Sequence, residues 1–165
     1  MKTTSAPVAA TEEVVPFSIR LLRRLDPVIS AVLQSPLHAL LSRDVLLLTY
    51  RGRKTGQPHR LPLSYVEIDD HLYLCTRTSR WWRNLGEGRR VDLRLRGRRR
   101  QAESHVLPAG TDEALAGLRA FLTRNPRTAE TLYDVACDAE RRPLEADLKR
   151  EVRRSIVIRL DLLPA

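Results

Sequence analysis

The segment at residues 51–58, RGRKTGQP, holds the densest set of groups that could bind a ligand. Arg53 and Lys54 are adjacent cations, Thr55 adds a hydroxyl, and two glycines let the backbone approach a ligand closely. Such donors could converge on a phosphate or a carboxylate. The segment is not a P-loop, because the GxxxxGKS or GxxxxGKT spacing and a following helical pattern are absent. On composition alone, a solvated basic hairpin turn is the more ordinary interpretation.

Both tryptophans of the chain stand side by side, at Trp81 and Trp82 in the sequence RWWRNL (80–85). The segment is long enough for one or two helical turns, in which neighbouring side chains point about 100° apart. This spacing predicts that one indole enters the core and the other faces a groove or the solvent. An exposed indole beside arginines would stack on a planar ring. Two aromatic residues that cap a core are the alternative interpretation.

Other reactive residue types lack a supporting arrangement in the sequence. None of the four histidines has a partner at the spacing of a metal site or a catalytic triad. No GxSxG sequence is present, so hydrolase chemistry has no support. The arginines between residues 94 and 100 could form a nucleic-acid patch, but alternation puts Arg94 and Arg96 on the outer face of a strand, without stacking aromatics. We therefore predict a solvated face there, no nucleic-acid partner and no bound metal.

The elements that position these segments follow from the spacing of apolar residues. Residues 1–13 are polar and acidic and predict a disordered tail, whereas apolar residues from Phe17 to Leu33 recur at helical spacing. From Asp44 the period becomes that of strands. Six strands are predicted, at residues 45–50, 59–68, 71–78, 91–96, 98–107 and 155–163. Thr111 begins a further helix, and helical spacing continues through TAETLYDVA (128–136).

The connections between the first five strands are too short for parallel crossovers, so the sheet should be antiparallel. We predict an α+β fold in which six antiparallel strands form a small β-barrel. Helices precede the first strand, and further helices precede the last one. At 165 residues the chain has the length of one domain, which we place at residues 14–165.

The formal net charge is +9, and arginine supplies nearly all of the positive charge. An anionic ligand or an acidic membrane surface would fit this balance, but a GC-rich genome gives the same bias. The N-terminus lacks the apolar segment of a secretory signal, and Cys75 and Cys137 form no CxxC pattern, so we predict a cytoplasmic protein. The basic helix that begins near Phe17 could also rest weakly on an anionic membrane surface, although packing on the barrel is commoner.

The order of motifs along the chain resembles that of one known family. LLLTYRGRKTGQPHRLPLSYV (46–66) is followed by a strand, then by WWRNL (81–85) and VDLRLRGR (91–98). Over about residues 25–106 this order is similar to the deazaflavin-dependent nitroreductase and quinone reductase family. The resemblance implies the split β-barrel fold of pyridoxamine phosphate oxidase-like flavoproteins, and it implies that a homodimer is possible.

The resemblance also implies a bound cofactor, 8-hydroxy-5-deazaflavin (coenzyme F-420), with FMN as the alternative. The basic loop would hold the acidic tail, a proline and an aromatic residue would contact the ring, and a polar pair on the next strand would bind phosphate. The implied cofactor-binding residues are Arg53, Lys54, Thr55, Gly56, His59, Pro62, Ser64, Thr76, Arg77, Trp81 and Asn84. His59 stands where the family commonly has arginine, and Ser64 replaces a more polar or aromatic residue.

In such an enzyme the cofactor supplies the hydride, and the protein supplies orientation and electrostatics. The substrate would be a planar, electron-poor molecule such as a quinone or a nitroaromatic compound. Tyr133, in the late helical segment, is the candidate catalytic proton donor, and a packed helix residue is its alternative role. A non-catalytic barrel that binds a flavin, a tetrapyrrole or a lipid-like ligand is the competing function.

Overall fold

The computed structural model of the protein describes residues 44–86 and 88–164. The strands are β1 (Val45–Arg51), β2 (Pro58–Ser64), β3 (Val66–Ile68), β4 (His71–Thr76), β5 (Arg89–Leu95), β6 (Arg98–Val106) and β7 (Ile156–Leu162). They form one antiparallel sheet in the order β2-β1-β5-β6-β7-β4-β3, which curls into a half-barrel. The predicted N-terminal tail, helices and membrane contact lie outside the described residues.

The sheet has seven strands instead of the predicted six, because the segment expected to be one strand at 59–68 is divided at Tyr65. Leu61 and Leu63 pack on one apolar core, whereas Val66 packs on another. Odd-numbered residues from Leu61 to Tyr65 face the first core, and Val66 and Ile68 face the second core on the opposite side, so alternation is unbroken and only the partner strand changes at Tyr65. Because β2 pairs with β1 and β3 pairs with β4, the two ends of the sheet order are joined through one residue.

Two apolar cores lie on opposite faces of the sheet. The barrel core fills the inner face and includes Leu46, Leu48 and Leu74. The helical core lies between the helices and the outer face of β3, β4 and β7, and it includes Tyr73 and Leu118. Because β4 contributes Tyr73 to one core and Leu74 to the other, it is buried on both faces. This explains the nearly continuous apolar sequence of β4.

Three helices lie between β6 and β7: α1 (Asp112–Arg124), α2 (Pro126–Leu132) and α3 (Glu145–Glu151). Helices were predicted before the last strand, but α3 was not placed from the sequence. The side chain of Thr111 caps α1, because its Oγ1 accepts a hydrogen bond from the amide of Ala114 at 3.3 Å. The second helix ends at Leu132, earlier than its sequence pattern predicts, and Asp134 then adopts a left-handed φ of +53°. Within residues 44–86 and 88–164, no helix combines the length and the apolar content needed to cross a membrane.

Two tight turns set the register of the hairpins. Asp69 and Asp70, between β3 and β4, have φ values of +47° and +66°. Arg96 and Gly97, between β5 and β6, have φ values of +47° and +78°. Two consecutive residues in the left-handed region match the twist of a hairpin, so the turn predicted at Asp69 and Asp70 is confirmed.

Candidate functional site

The loop between β1 and β2 is closed by its own backbone. The amide of Gly52 donates to the carbonyl of Gln57, and the amide of Gly56 donates to the carbonyl of Gly52, both at 2.8 Å. Gly56 has a φ of +67°, a conformation that favours glycine. A Cβ atom on Gly52 would lie 2.8 Å from Thr55 Oγ1 and 3.2 Å from His59 Nε2. The loop is therefore a compact turn with Thr55 and His59 packed against Gly52.

A side-chain bridge joins this loop to the tryptophan segment. Trp81–Asn84 forms a single 3-10 turn. Asn84 Oδ1 accepts a hydrogen bond from the amide of Arg53 at 2.9 Å, and Asn84 Nδ2 donates to the carbonyl of Trp81 at 3.0 Å. One carboxamide can make both contacts because it carries a donor and an acceptor. The structure thus brings together two segments that are 31 residues apart in the chain.

The two cations at the tip of the loop have no side-chain partner among the described residues. Arg53 and Lys54 are exposed, and neither forms an ion pair with any other described residue. Arg51, the third cation of the loop, makes a hydrogen bond within the loop, since its Nη1 donates to the carbonyl of Gly56 at 3.2 Å. The amide of Arg53 is held by Asn84, so the backbone at the tip is fixed while the charged groups remain available to an anion.

Trp81 and Trp82 are both half-buried, and both pack against the barrel core. This arrangement matches two aromatic residues that cap a core, the alternative to the expectation that one indole enters the core and the other faces a groove or the solvent. The segment is a 3-10 turn of only four residues, so its neighbouring side chains do not follow the α-helical angle on which that expectation rested. The guanidinium of Arg83 lies 5.6 Å from the ring centroid of Trp82, at the distance of a cation–π contact.

Three further predicted residues lie on β2, and alternation divides them between the two faces. His59 is opposite Tyr50, and their rings stack with centroids 5.4 Å apart and planes 24° apart. Pro62 is opposite Leu47 on the outer face, and Ser64 is on the same face two residues later. His59 therefore adjoins the loop, whereas Pro62 and Ser64 face the outside of the sheet.

The predicted phosphate pair lies at the end of β4. Thr76 is buried, and Arg77 Nη1 donates to the carbonyl of Leu132 at 3.1 Å. Arg77 Nε also lies 3.4 Å from the carboxylate of Glu151, which is 2% exposed and accepts a hydrogen bond from Ser155 Oγ at 2.8 Å. The guanidinium thus ties the end of β4 to the helices. The phosphate contact stays a prediction.

Tyr133 lies in the helical core, where its ring makes an edge contact with Phe121 at 6.2 Å between centroids. Burial raises the pKa of its phenol well above the usual value, and the nearby Cys75 and Glu151 raise it further. The phenol therefore remains protonated at neutral pH. Trp81 packs on the other core, so the two side chains belong to different parts of the fold. The role of Tyr133 as a proton donor stays a prediction.

Comparison with known proteins gives a family. The model of the F420H(2)-dependent quinone reductase family matches residues 31–144. The chain belongs to this family. The match confirms the resemblance inferred from the RGRKTGQP and WWRNL motifs, and among curated proteins no sequence matches the chain.

Several solved structures have a similar outline to this quinone reductase family member. An F420 reductase is 15% identical with a TM-score of 0.42, and the match covers 82% of this chain and 93% of that one. A FAD-binding protein from Mesorhizobium loti is 19% identical with a TM-score of 0.43, covering 79% and 91%. A FAD and heme binding protein from Mycobacterium smegmatis is 23% identical with a TM-score of 0.44, covering 78% and 66%.

The outer face of β2, β1, β5 and β6 carries a groove of about 560 Å³ that sequence reasoning missed. Four arginines line it, namely Arg60, Arg94, Arg99 and Arg100, and none of the predicted cofactor residues within the described ranges does. Arg94 and Arg100 are half-buried, so the expectation of a solvated face is wrong for these two residues. The arginine spacing was visible in the sequence, but the neighbouring strands that make a groove of it were not.

The far side of the sheet, at β4, β7 and α1, holds a cluster in which charges are paired. Asp161 accepts hydrogen bonds from Arg159 Nε at 2.9 Å and Nη2 at 3.0 Å, and it lies 2.7 Å from His71 Nδ1. Arg159 Nη1 also donates to Glu113 at 2.7 Å. Burial alone would raise the pKa of Asp161, but the hydrogen bonds and charges of Arg159 and His71 lower it from its usual 3.8. The only sequence signal for this cluster is the i, i+2 spacing of Arg159 and Asp161 on one strand face.

Proposed function

We propose that this chain is a deazaflavin-dependent oxidoreductase that transfers a hydride from the reduced cofactor to a planar, electron-poor molecule such as a quinone or a nitroaromatic compound. Family membership supports an oxidoreductase with a deazaflavin cofactor, and it leaves no need for the FMN alternative. The observation that carries the proposal is the Asn84 bridge, which joins the backbone of the loop with Arg53 and Lys54, cations unpaired among the described residues, to the backbone of Trp81.

The residues at this place fit such a cofactor. Its phosphate and glutamate tail is acidic, and the loop at 51–58 contains two unpaired cations and no carboxylate that would compete for them. The half-buried ring of Trp81 is held by packing and keeps part of its surface for contact with a planar ring. When bound there, the deazaflavin supplies hydride chemistry that no amino-acid side chain provides.

The chain's own residues bind and orient the ligand in this proposal. Arg53 and Lys54 hold the acidic tail, while Thr55, Gly56 and His59 shape the compact turn beneath it. Pro62 and Ser64 lie on the outer face of β2, opposite the barrel core on which Trp81 packs, and in this proposal they contact the part of the ligand that extends over the edge strand. Thr76 contacts phosphate, and Arg77 fixes the end of β4 through Glu151. Asn84 acts on the ligand through the backbone of Arg53.

Titration of the purified full-length chain with the deazaflavin cofactor tests this proposal directly. Both tryptophans lie in the one 3-10 turn, so we expect binding to quench the intrinsic tryptophan fluorescence. Lys54→Ala should raise the dissociation constant about tenfold, because it removes a charge-assisted contact. The effect should shrink as the salt concentration rises, since the site is exposed to solvent.

Lys149→Ala is the matched control for Lys54→Ala. Lys149 is an exposed lysine on α3, remote in sequence from the loop, and its side chain is 66% exposed. Its removal causes the same loss of one positive charge, so we expect unchanged cofactor binding. Equal weakening by the two variants would show that net charge, and no local contact, attracts the cofactor. Absence of any binding would refute the proposal.

Turnover separates the enzyme from a non-catalytic binder. Reduced deazaflavin and a soluble naphthoquinone are mixed with the protein, and oxidation of the cofactor is followed by absorbance. We expect oxidation to depend on protein concentration and to be slower with Lys54→Ala at subsaturating cofactor. Tight binding of the cofactor without turnover of a quinone or a nitroaromatic compound would favour the non-catalytic function.

A further inference from the structure

The arginine groove is built from two rows of side chains that cross four strands. The first row comprises Arg60, Thr49, Asp92 and Gln101, which are successive partners across β2, β1, β5 and β6. The second row comprises Leu47, Arg94 and Arg99 on β1, β5 and β6, and Pro62 continues this row on β2 outside the groove lining. Directly opposed residues of antiparallel strands share a face of the sheet, so both rows line the outer surface. The groove is thus fixed by the register of the sheet and does not depend on a loop.

The described residues do not neutralise the positive charge of this groove. Its lining contains four arginines and one carboxylate, that of Asp92. Asp92 Oδ1 accepts a hydrogen bond from Gln101 Nε2 at 3.1 Å, and no arginine of the groove has an ion pair among residues 44–86 and 88–164. Arg100 Nη2 donates to the carbonyl of Leu163 at 3.1 Å, which fixes that guanidinium without reducing its charge.

Two guanidinium nitrogens of the lining arginines are buried and have no hydrogen-bond partner among the described residues. They are Nε of Arg94, which lies on the outer face, and Nε of Arg100, whose strand partner Leu93 packs in the barrel core. A buried donor that is not satisfied is costly, and such groups are rare in folded proteins unless something binds them. A carboxylate or a phosphate is the natural partner, because the Nε and Nη atoms of arginine match two oxygens of either group.

We propose that the arginine groove is a second anion site, separate from the hairpin loop, which binds a small molecule bearing carboxylate or phosphate groups. A volume of about 560 Å³ suits a small organic anion. A second copy of this chain is a poor occupant, because a two-fold interface on this face would oppose like charges across the axis.

The position of the groove gives this site a role if the proposed function is correct. Pro62, a proposed contact of the cofactor, stands in the same row as Arg94, two strands away. At the spacing of strands in a sheet, the two positions are about 10 Å apart. An anion held at Arg94 would therefore be close to the cofactor, and we infer that it is the acidic group of the substrate. This assignment rests on the proposed function, whereas anion binding itself does not.

Thermal unfolding of the full-length chain with citrate or inorganic phosphate tests the site without cofactor. Sodium chloride at the same ionic strength serves as the reference. We expect citrate at about one hundred times its dissociation constant to raise Tm by on the order of 5 °C above this reference. Arg94→Gln should weaken citrate binding about tenfold or more, because it removes a charge-assisted contact.

Arg90→Gln is the matched control, because Arg90 also lies on β5 and its side chain is 74% exposed. We expect this variant to keep the full citrate shift. Equal loss in Arg90→Gln and Arg94→Gln, or no shift in the unmodified chain, would overturn the proposal. Isothermal calorimetry with citrate provides a second readout that does not depend on the stability of the variants.

A final experiment distinguishes binding of a free anion in the groove from binding of the acidic tail of the cofactor. The citrate titration is repeated in the presence of saturating deazaflavin. We expect the shift to persist, since the groove is separate from the hairpin loop. Loss of the shift would mean that the cofactor tail occupies the groove, and it would overturn the assignment of a second site. If the deazaflavin does not bind at all, the proposed function fails while the citrate result still decides the anion site.

Discussion

Arginine has opposite roles in two regions of the molecule. One is the loop between β1 and β2, called here the hairpin loop, and the other is the cluster of paired charges on the far side of the sheet, at β4, β7 and α1. On the far side, Arg159 makes hydrogen bonds to both Asp161 and Glu113. In the loop, Arg53 is exposed, and no described carboxylate pairs with it. Both arginines belong to a chain with a formal net charge of +9, so overall composition does not account for the difference.

This difference teaches which arginines of a basic protein are informative. A guanidinium that is fully paired within the fold contributes to stability and has little capacity left for a ligand. A guanidinium that is held in place but unpaired keeps its charge for an anion. Pairing in the structure therefore separates ligand-binding candidates from the background of arginines, which the sequence could not do.

The strongest test of this comparison is to measure two variants side by side, Arg77→Gln and Arg53→Gln. Arg77→Gln leaves the buried carboxylate of Glu151 without its cation, so we expect the free energy of unfolding to fall by about 3 kcal/mol. Arg53→Gln should leave stability unchanged and should weaken deazaflavin binding. Urea denaturation of both variants measures the first effect. Equal stability of the two variants would remove the distinction between paired and unpaired arginines.

Asp161→Asn tests the paired cluster through pH. The folded-state pKa of Asp161 is lowered from 3.8, so its carboxylate stabilises the fold above that pH. This stability is lost as the pH falls through the lowered value. We expect the variant to be about 2 kcal/mol less stable than the unmodified chain at pH 7, since it loses contacts to a charged group.

The difference between Asp161→Asn and the unmodified chain should narrow as the pH falls below 3.8. Urea denaturation at a series of pH values between 7 and 3 provides the measurement. A difference that stays constant over this range would mean that the charge of Asp161 is not the source of the stabilisation.

Asn84→Ala sharpens the other side of the comparison. It removes the hydrogen bonds to the amide of Arg53 and the carbonyl of Trp81 but leaves both free cations in place. We expect a loss of about 1 kcal/mol in stability and a several-fold rise in the cofactor dissociation constant. Unchanged cofactor affinity would show that the loop needs no support from the tryptophan turn.

Tyr133→Phe carries the smallest expected effect. The phenol is buried in the helical core, so removal of its hydroxyl should change kcat for quinone reduction less than about twofold if packing is its role. A proton donor would instead show a large fall in kcat and an altered pH profile. Steady-state kinetics across pH therefore decides between the two roles predicted for this residue.

Alternation and capping residues were enough to place most elements of the fold. The strands at 45–50 and 98–107 and the helix after Thr111 lie where the sequence predicts them. The break at Tyr65 was missed because Leu63, Tyr65 and Val66 are all good strand residues. Tyr65 and Val66 face different cores, as alternation requires, so the side-chain pattern carries no signal for the change of partner strand from β1 to β4.

The hairpin loop and tryptophan turn could be identified from the sequence as candidate ligand-binding segments, but the contact between them could not be predicted. The Asn84 bridge spans 31 residues and depends on how the sheet curls. The arginine groove could not be predicted for the same reason, since it needs the register of β1, β2, β5 and β6 together. Alternation assigns a side chain to a face, but it does not identify neighbours on other strands.

Pro58 and Pro62 both lie in β2, which has β1 as its one neighbour in the sheet order. Proline has no N–H group, so an edge strand that contains two prolines offers an incomplete set of donors to an approaching strand. Exposed edges are the usual starting points for intermolecular β-pairing and aggregation. The strand that carries the proposed contact of Pro62 with the ligand is thus protected from extension by another chain, which leaves its surface accessible to a small molecule.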